Sequence, residues 1–140
     1  MPFPQKIILT KQQRAVILHR LEHLWGLHND DVVELFEDED REQQLDPQRL
    51  YDAIEKLYVS FSSSPGALLA VYIETEEQGE VLAECLEGST YFATWEKGDG
   101  VYRHAANSAA ELLATVLDRD VAAHIDPVPP PHMRKPHPLS

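Results

Sequence analysis

The stretch from Ala67 to Trp95 constrains this chain more than any other. It opens on an unbroken apolar run, Ala67-Leu68-Leu69-Ala70-Val71-Tyr72-Ile73. The run is far short of the roughly 18 residues that a membrane-spanning helix needs. Its length and its Val, Tyr and Ile content read as a strand covered on both faces. Thr75 and Gln78 then stand three residues apart, the spacing of a capping box, and Val81, Leu82, Cys85 and Leu86 share one face of the helix that follows. Glu77, Glu80, Glu84 and Glu87 fall largely on the other faces, and Gly88 closes the segment. A competing reading pairs 67–75 with 80–87 as a hairpin turning at Glu76-Glu77-Gln78-Gly79, because a glycine inside a helix costs about 1 kcal/mol. Helix or strand at 76–87 therefore stays open. Tyr91–Trp95 and Val101–Arg103 read as short strands joined by the turn Lys97-Gly98-Asp99-Gly100. The stretch has the character of a domain core rather than of an active site.

The flanks supply helices. Thr10 and Gln13 form another capping box, and Ile17, Leu18, Leu21, Leu24, Trp25 and His28 recur at helical spacing up to about Leu27. Asn29 is placed to cap a short second helix, with Asp30 and Asp31 at its positive N-terminus and Val32, Val33, Leu35 and Phe36 as its apolar residues. Residues 37–44 contain no apolar side chain. Asp46-Pro47 restarts helix formation, and Leu50, Tyr51, Ile54, Leu57, Tyr58 and Phe61 give the cleanest amphipathic pattern in the chain. Ser62-Ser63-Ser64-Pro65-Gly66 ends it with turn chemistry. Ser108 and Glu111 suggest a further capping box opening a last helix, with Leu112, Leu113, Val116 and Leu117 inside and an end as late as Ile125. Six of the ten prolines fall from Pro127 onward, which opposes regular structure.

These segments predict an α+β fold with three N-terminal helices, a small, mostly antiparallel sheet of three or four strands, and a C-terminal helix. The expected organisation is an N-terminal arm at 1–6, a single domain at 7–125 and a Pro-rich disordered tail at 126–140. A length of 140 residues suits one domain.

The formal net charge is -12. It is unevenly spread: residues 1–29 carry +3, 30–60 carry -8, 61–100 carry -7, and 101–140 balance to zero. Such a field repels nucleic-acid phosphates and attracts a basic protein. The N-terminus lacks the pattern of a signal peptide and Cys85 is the only cysteine, which together lead to the expectation of a cytoplasmic protein.

The sharpest motif is His19-Arg20-Leu21-Glu22-His23, the H-x-x-E-H order used by one group of zinc peptidases. Histidines four apart on a helix point the same way and can share zinc, with the glutamate activating a bound water. At about 100° per residue, however, His19 and His23 fall opposite the apolar stripe, beside Arg20, and should face water. The acidic run offers more. Asp30, Asp31, Glu34, Glu37, Asp38, Glu39, Asp40 and Glu42 are opposed locally by Arg41 alone. No window has the alternating ligands, sixth-position glycine and twelfth-position glutamate of an EF-hand loop. Cys85 sits among apolar residues and glutamates, which disfavours a thiolate. Gly98 and Gly100 match no phosphate-binding loop, and the Pro127–Pro131 segment lacks the basic residue that orients P-x-x-P ligands.

The resulting expectation is a small acidic cytoplasmic binding module, not an enzyme, without a cofactor. Its eight-carboxylate surface would dock a basic partner, with mimicry of nucleic-acid phosphates as one way of doing so, and with no direct contact to nucleic acid or membrane. Two alternatives stand beside it: a zinc hydrolase using 19–23, and a homodimer through the first and third helices.

Overall fold

A computed structural model describes residues 3–63, 66–87, 90–92, 99–123 and 125–127. The elements run in the order β1 (Gln5–Thr10), α1 (Lys11–Trp25), α2 (Asn29–Leu35), α3 (Pro47–Ser63), β2 (Leu68–Ile73), α4 (Glu76–Glu87), β3 (Thr90–Phe92), α5 (Asp99–Leu117) and β4 (Ile125–Pro127). The class is α+β, in one small domain.

Local chemistry starts the helices where the sequence places it. The Thr10 hydroxyl accepts from the Gln13 backbone N–H at 3.2 Å while the Gln13 amide oxygen takes the Thr10 N–H at 2.8 Å. Thr75 and Gln78 repeat the arrangement ahead of α4. Asp46 caps α3 by accepting from the Gln48 N–H at 2.9 Å, and Pro47 takes the first helical position. Leu50, Ala53, Ile54, Leu57 and Phe61 of α3 are buried, as the amphipathic spacing requires.

Segment 76–87 is a helix, so the hairpin alternative is excluded. Gly79 belongs there because a Cβ would stand 2.6 Å from Leu117 Cδ2 and 3.6 Å from Ile73 Cγ2. The missing side chain lets α4 lie close to β2 and to the end of α5. Helix α4 packs against α1, α3, α5 and β2, and Val81, Leu82, Ala83, Cys85 and Leu86 are fully covered.

The strands differ from expectation. No three- or four-stranded sheet forms among the described residues; there are two separate pairs. β1 and β2 are antiparallel with Ile8 opposite Ala70, and β3 and β4 are parallel with Tyr91 opposite Asp126. The expected arm at 1–6 supplies Gln5 and Lys6 to β1, a strand that the sequence reading had missed. Alternation explains its existence: Ile7 and Leu9 face the core with Val71 and Ile73, whereas Ile8 and Tyr72 face outward. β2 is thus covered on one face, not two.

Val101–Arg103 lie in α5, not in a strand, and Ser108 stands inside that helix rather than at its start. Its hydroxyl accepts from the Gln13 side-chain amide at 2.8 Å and donates to the Ala105 carbonyl. The small side chains Ala105, Ala106, Ala109 and Ala110 are buried in α5, which packs against α1 and α4. α5 ends at Leu117, well before Ile125, and Asp118 at φ 55° turns the chain out of the helix. Ile125–Pro127 form β4, so the boundary region of the expected tail carries a strand. Residues 128–140, the rest of the expected hairpin turn at Lys97 and Gly98, and Gly88 lie outside the described residues. Among the described residues no helix is long and apolar enough to cross a membrane.

The core joins both sheet residues and helices, with Leu9, Ile17, Leu21, Leu24, Ile73, Leu82, Leu86 and Leu113 among its fully buried side chains. Gly79→Ala is expected to be nearly neutral, because about 1 kcal/mol of helix propensity is offset by displacement of the Leu117 methyl. Gly79→Leu has no such room, and urea denaturation should show a loss of about 1–3 kcal/mol.

Candidate functional site

The carboxylates of α4 are not spread over its free surface. Glu80, Glu84 and Glu87 follow one another at helical spacing, and each meets an arginine from outside the helix. Arg119, just past α5, grips both oxygens of Glu80 at 2.7 and 2.8 Å and reaches Glu87 at 3.3 Å. Arg20 of α1 meets Glu84 at 3.3 Å. Arg41, from the α2–α3 loop, donates to Glu76 at 3.2 Å and lies 3.8 Å from Glu80. One step round the helix, buried Glu77 accepts from the Asp46 backbone N–H at 3.0 Å and ties α4 to the start of α3. Glu80 is 7 % exposed and needs its fork of hydrogen bonds, since an unpaired buried carboxylate costs several kcal/mol.

Between these residues and the loop after α2 lies a cleft of about 350 Å³. Leu35, Phe36, Glu37, Asp38, Arg41, Glu80, Glu84, Glu87 and Arg119 line it. Five carboxylates face two guanidinium groups there, beside an apolar wall. Arg20 adds a third positive charge behind Glu84. Burial pushes the Glu84 carboxyl above its ordinary value of 4.5, and the nearby Arg20 only partly offsets this. For Arg119, burial works against the charge, yet the hydrogen bonds to Glu80 and Glu87 outweigh it and raise its pKa. The loop holds its shape locally: Gln44 donates to the Asp38 carbonyl at 2.7 Å, and the Asp38 carboxylate accepts from the Asp40 N–H at 3.0 Å.

Of the carboxylates singled out in the sequence, Glu37 and Asp38 reach this cleft. Asp30, Asp31, Glu34, Glu39, Asp40 and Glu42 are exposed on α2 and the loop and do not line it. Sequence reasoning assigned Glu80, Glu84 and Glu87 only to a helix face, and missed Arg41, Arg119 and the apolar pair as cleft residues. The spacing of the glutamates was a usable signal; their arginine partners were not.

His19, Glu22 and His23 are exposed on α1, and no group of three or more His, Cys, Asp or Glu residues that could hold a metal occurs among the described residues. Cys85 is fully buried, and burial raises its thiol far above the ordinary range, so it is protonated and shielded at neutral pH. Comparison with protein families, curated proteins and solved structures finds no match to this chain.

Two outcomes follow from the network. Arg119→Met removes the hydrogen-bonded fork on Glu80 and leaves it only Arg41 at 3.8 Å, which should cost about 1–3 kcal/mol in denaturant unfolding, whereas Glu87→Gln at the half-buried end of the row should cost under about 1 kcal/mol. The folded chain holds a proton on Glu84 more tightly than the unfolded chain does, so its contribution favours folding at low pH. That contribution is lost as pH rises from about 4.5 through the raised value. The stability of Glu84→Gln relative to wild type should therefore increase with pH across that window, as thermal melts in a pH series would show.

Proposed function

We propose that this chain is a small acidic binding module of the cytoplasm, acting as an adaptor, regulator or inhibitor rather than as an enzyme. Its partner is a protein presenting a basic segment, whose lysine or arginine side chain enters the cleft beside Glu37 and Asp38. The observation that carries this reading is the cleft lining: carboxylates exceed guanidinium groups, and the apolar wall of Leu35 and Phe36 suits the methylene stem of a long basic side chain. The exposed carboxylates from Asp30 to Glu42 lie on the same loop and helix, and extend the negative field that would steer such a partner.

Desolvation selects which of the two cationic side chains binds better. Arginine offers a planar fork to paired carboxylates and is more weakly hydrated than lysine, so an arginine-rich segment should be preferred. Binding of a fluorescent arginine-rich peptide, followed by anisotropy, should weaken at least about tenfold between roughly 0.05 M and 0.5 M salt. The double change Glu37→Gln with Asp38→Asn should weaken it about fivefold at low salt without altering the fold, because both residues are exposed and the asparagine amide oxygen can still accept from the Asp40 N–H. Affinity indifferent to salt would count against the reading.

A further inference from the structure

Among the described residues the β1–β2 ribbon leaves one face exposed and both outer edges without a strand partner. Ile8 is 51 % exposed, Leu68 62 % and Tyr72 57 %, and Ala70 between them is exposed as well. With Lys6 and Thr10 they make up the whole outer face of the ribbon. It carries no carboxylate, although the chain as a whole has a net charge of -12. The nearest one along β2, Glu74, is engaged by Lys56 at 3.1 Å. Among the described residues no strand pairs with the outer edge of β2. β1 has devices that discourage edge pairing, Lys6 within it and Pro4 just before it, whereas Leu68–Ile73 contain neither charge nor proline.

We infer that β2 pairs antiparallel with β2 of a second copy of this chain, making a two-fold dimer with a continuous sheet in the order β1-β2-β2-β1. Two observations select a second copy as occupant. The ribbon face is where two strongly acidic molecules meet without opposing carboxylates. The strand is also self-complementary: centring the two-fold axis on Ala70 keeps the inner and outer faces aligned and sets Leu68 of each copy opposite Tyr72 of the other. Large side chains then flank a small central pair, and half-buried Leu69 comes opposite Val71 on the core side. Because the remaining surfaces repel, the dimer tightens as salt rises, opposite to the docking of a basic partner.

The test uses the full chain in light scattering and sedimentation across a concentration and salt series. The expected result is a mass approaching twice 15.9 kDa that is reached at lower concentration in higher salt. Tyr72→Lys and, separately, Leu68→Lys place charges opposite apolar partners and should raise the dissociation constant at least about tenfold with unchanged circular dichroism. Ala70→Cys should cross-link on oxidation, since directly opposed residues lie about 4.5–5.5 Å apart, within the roughly 4.4–6.8 Å that a disulfide spans. Asp52→Cys, exposed on α3, should not. If Tyr72→Lys loses its helical signal, Leu68→Lys and the cross-link decide. A monomeric mass in every condition overturns the inference. So does a dimer undiminished in a folded lysine variant, and so do masses that grow past the dimer.

Discussion

The pairing of the α4 carboxylates with arginines is the constraint to which the rest of the molecule conforms. A helix in contact with three other helices and a strand has almost no surface to spare, yet this one carries Glu77, Glu80, Glu84 and Glu87. Burying such groups is tolerable only where each receives a cation or a backbone donor. Arg20, Arg41 and Arg119 supply the cations and the Asp46 N–H supplies a donor. In doing so they fix α1, the α2–α3 loop, the start of α3 and the chain after α5 around α4. The left-handed turn at Asp118 has its purpose here, because it redirects the chain so that Arg119 reaches back to Glu80.

The same network gives the proposed binding cleft its character. Arginines neutralise part of the glutamate row but not all of it, and the loop adds Glu37 and Asp38 at the mouth. An undercompensated anionic site whose glutamates are already held by ion pairs would cost a basic side chain little reorganisation on entry. The acidic composition therefore serves two ends: the α4 carboxylates are consumed largely in holding the fold, while those between Asp30 and Glu42 remain in water.

What could be read in advance was whatever depends on neighbours within a turn or two. The Thr10–Gln13 and Thr75–Gln78 boxes, the Asp46-Pro47 start and the apolar stripe of α3 are all of this kind. The errors fell where distant segments decide. Ile7-Ile8-Leu9 is too short a run to announce a strand, and β1 exists because Leu68–Ile73 lies beside it. Gly98 and Gly100 resemble turn residues, yet helix α5 starts at Asp99, and its buried alanines are stabilised by packing against neighbouring helices rather than by strong local signals. Ser108 has the spacing of a cap but satisfies Gln13 across the core. The cleft was half legible for the same reason: Glu37 and Asp38 are adjacent in sequence, whereas Arg119 and Glu80 are 39 residues apart.

The β1–β2 pairing also sets an order of events during synthesis. Gln5–Thr10 is made before its partner Leu68–Ile73, with α1, α2 and α3 between them. Closing so long an intervening segment carries an entropic cost that grows only slowly with its length, and prior helix formation shortens the effective span. Until Leu68–Ile73 has been made, β1 therefore has no partner strand, and the hydrogen bonds of its paired edge are left to water.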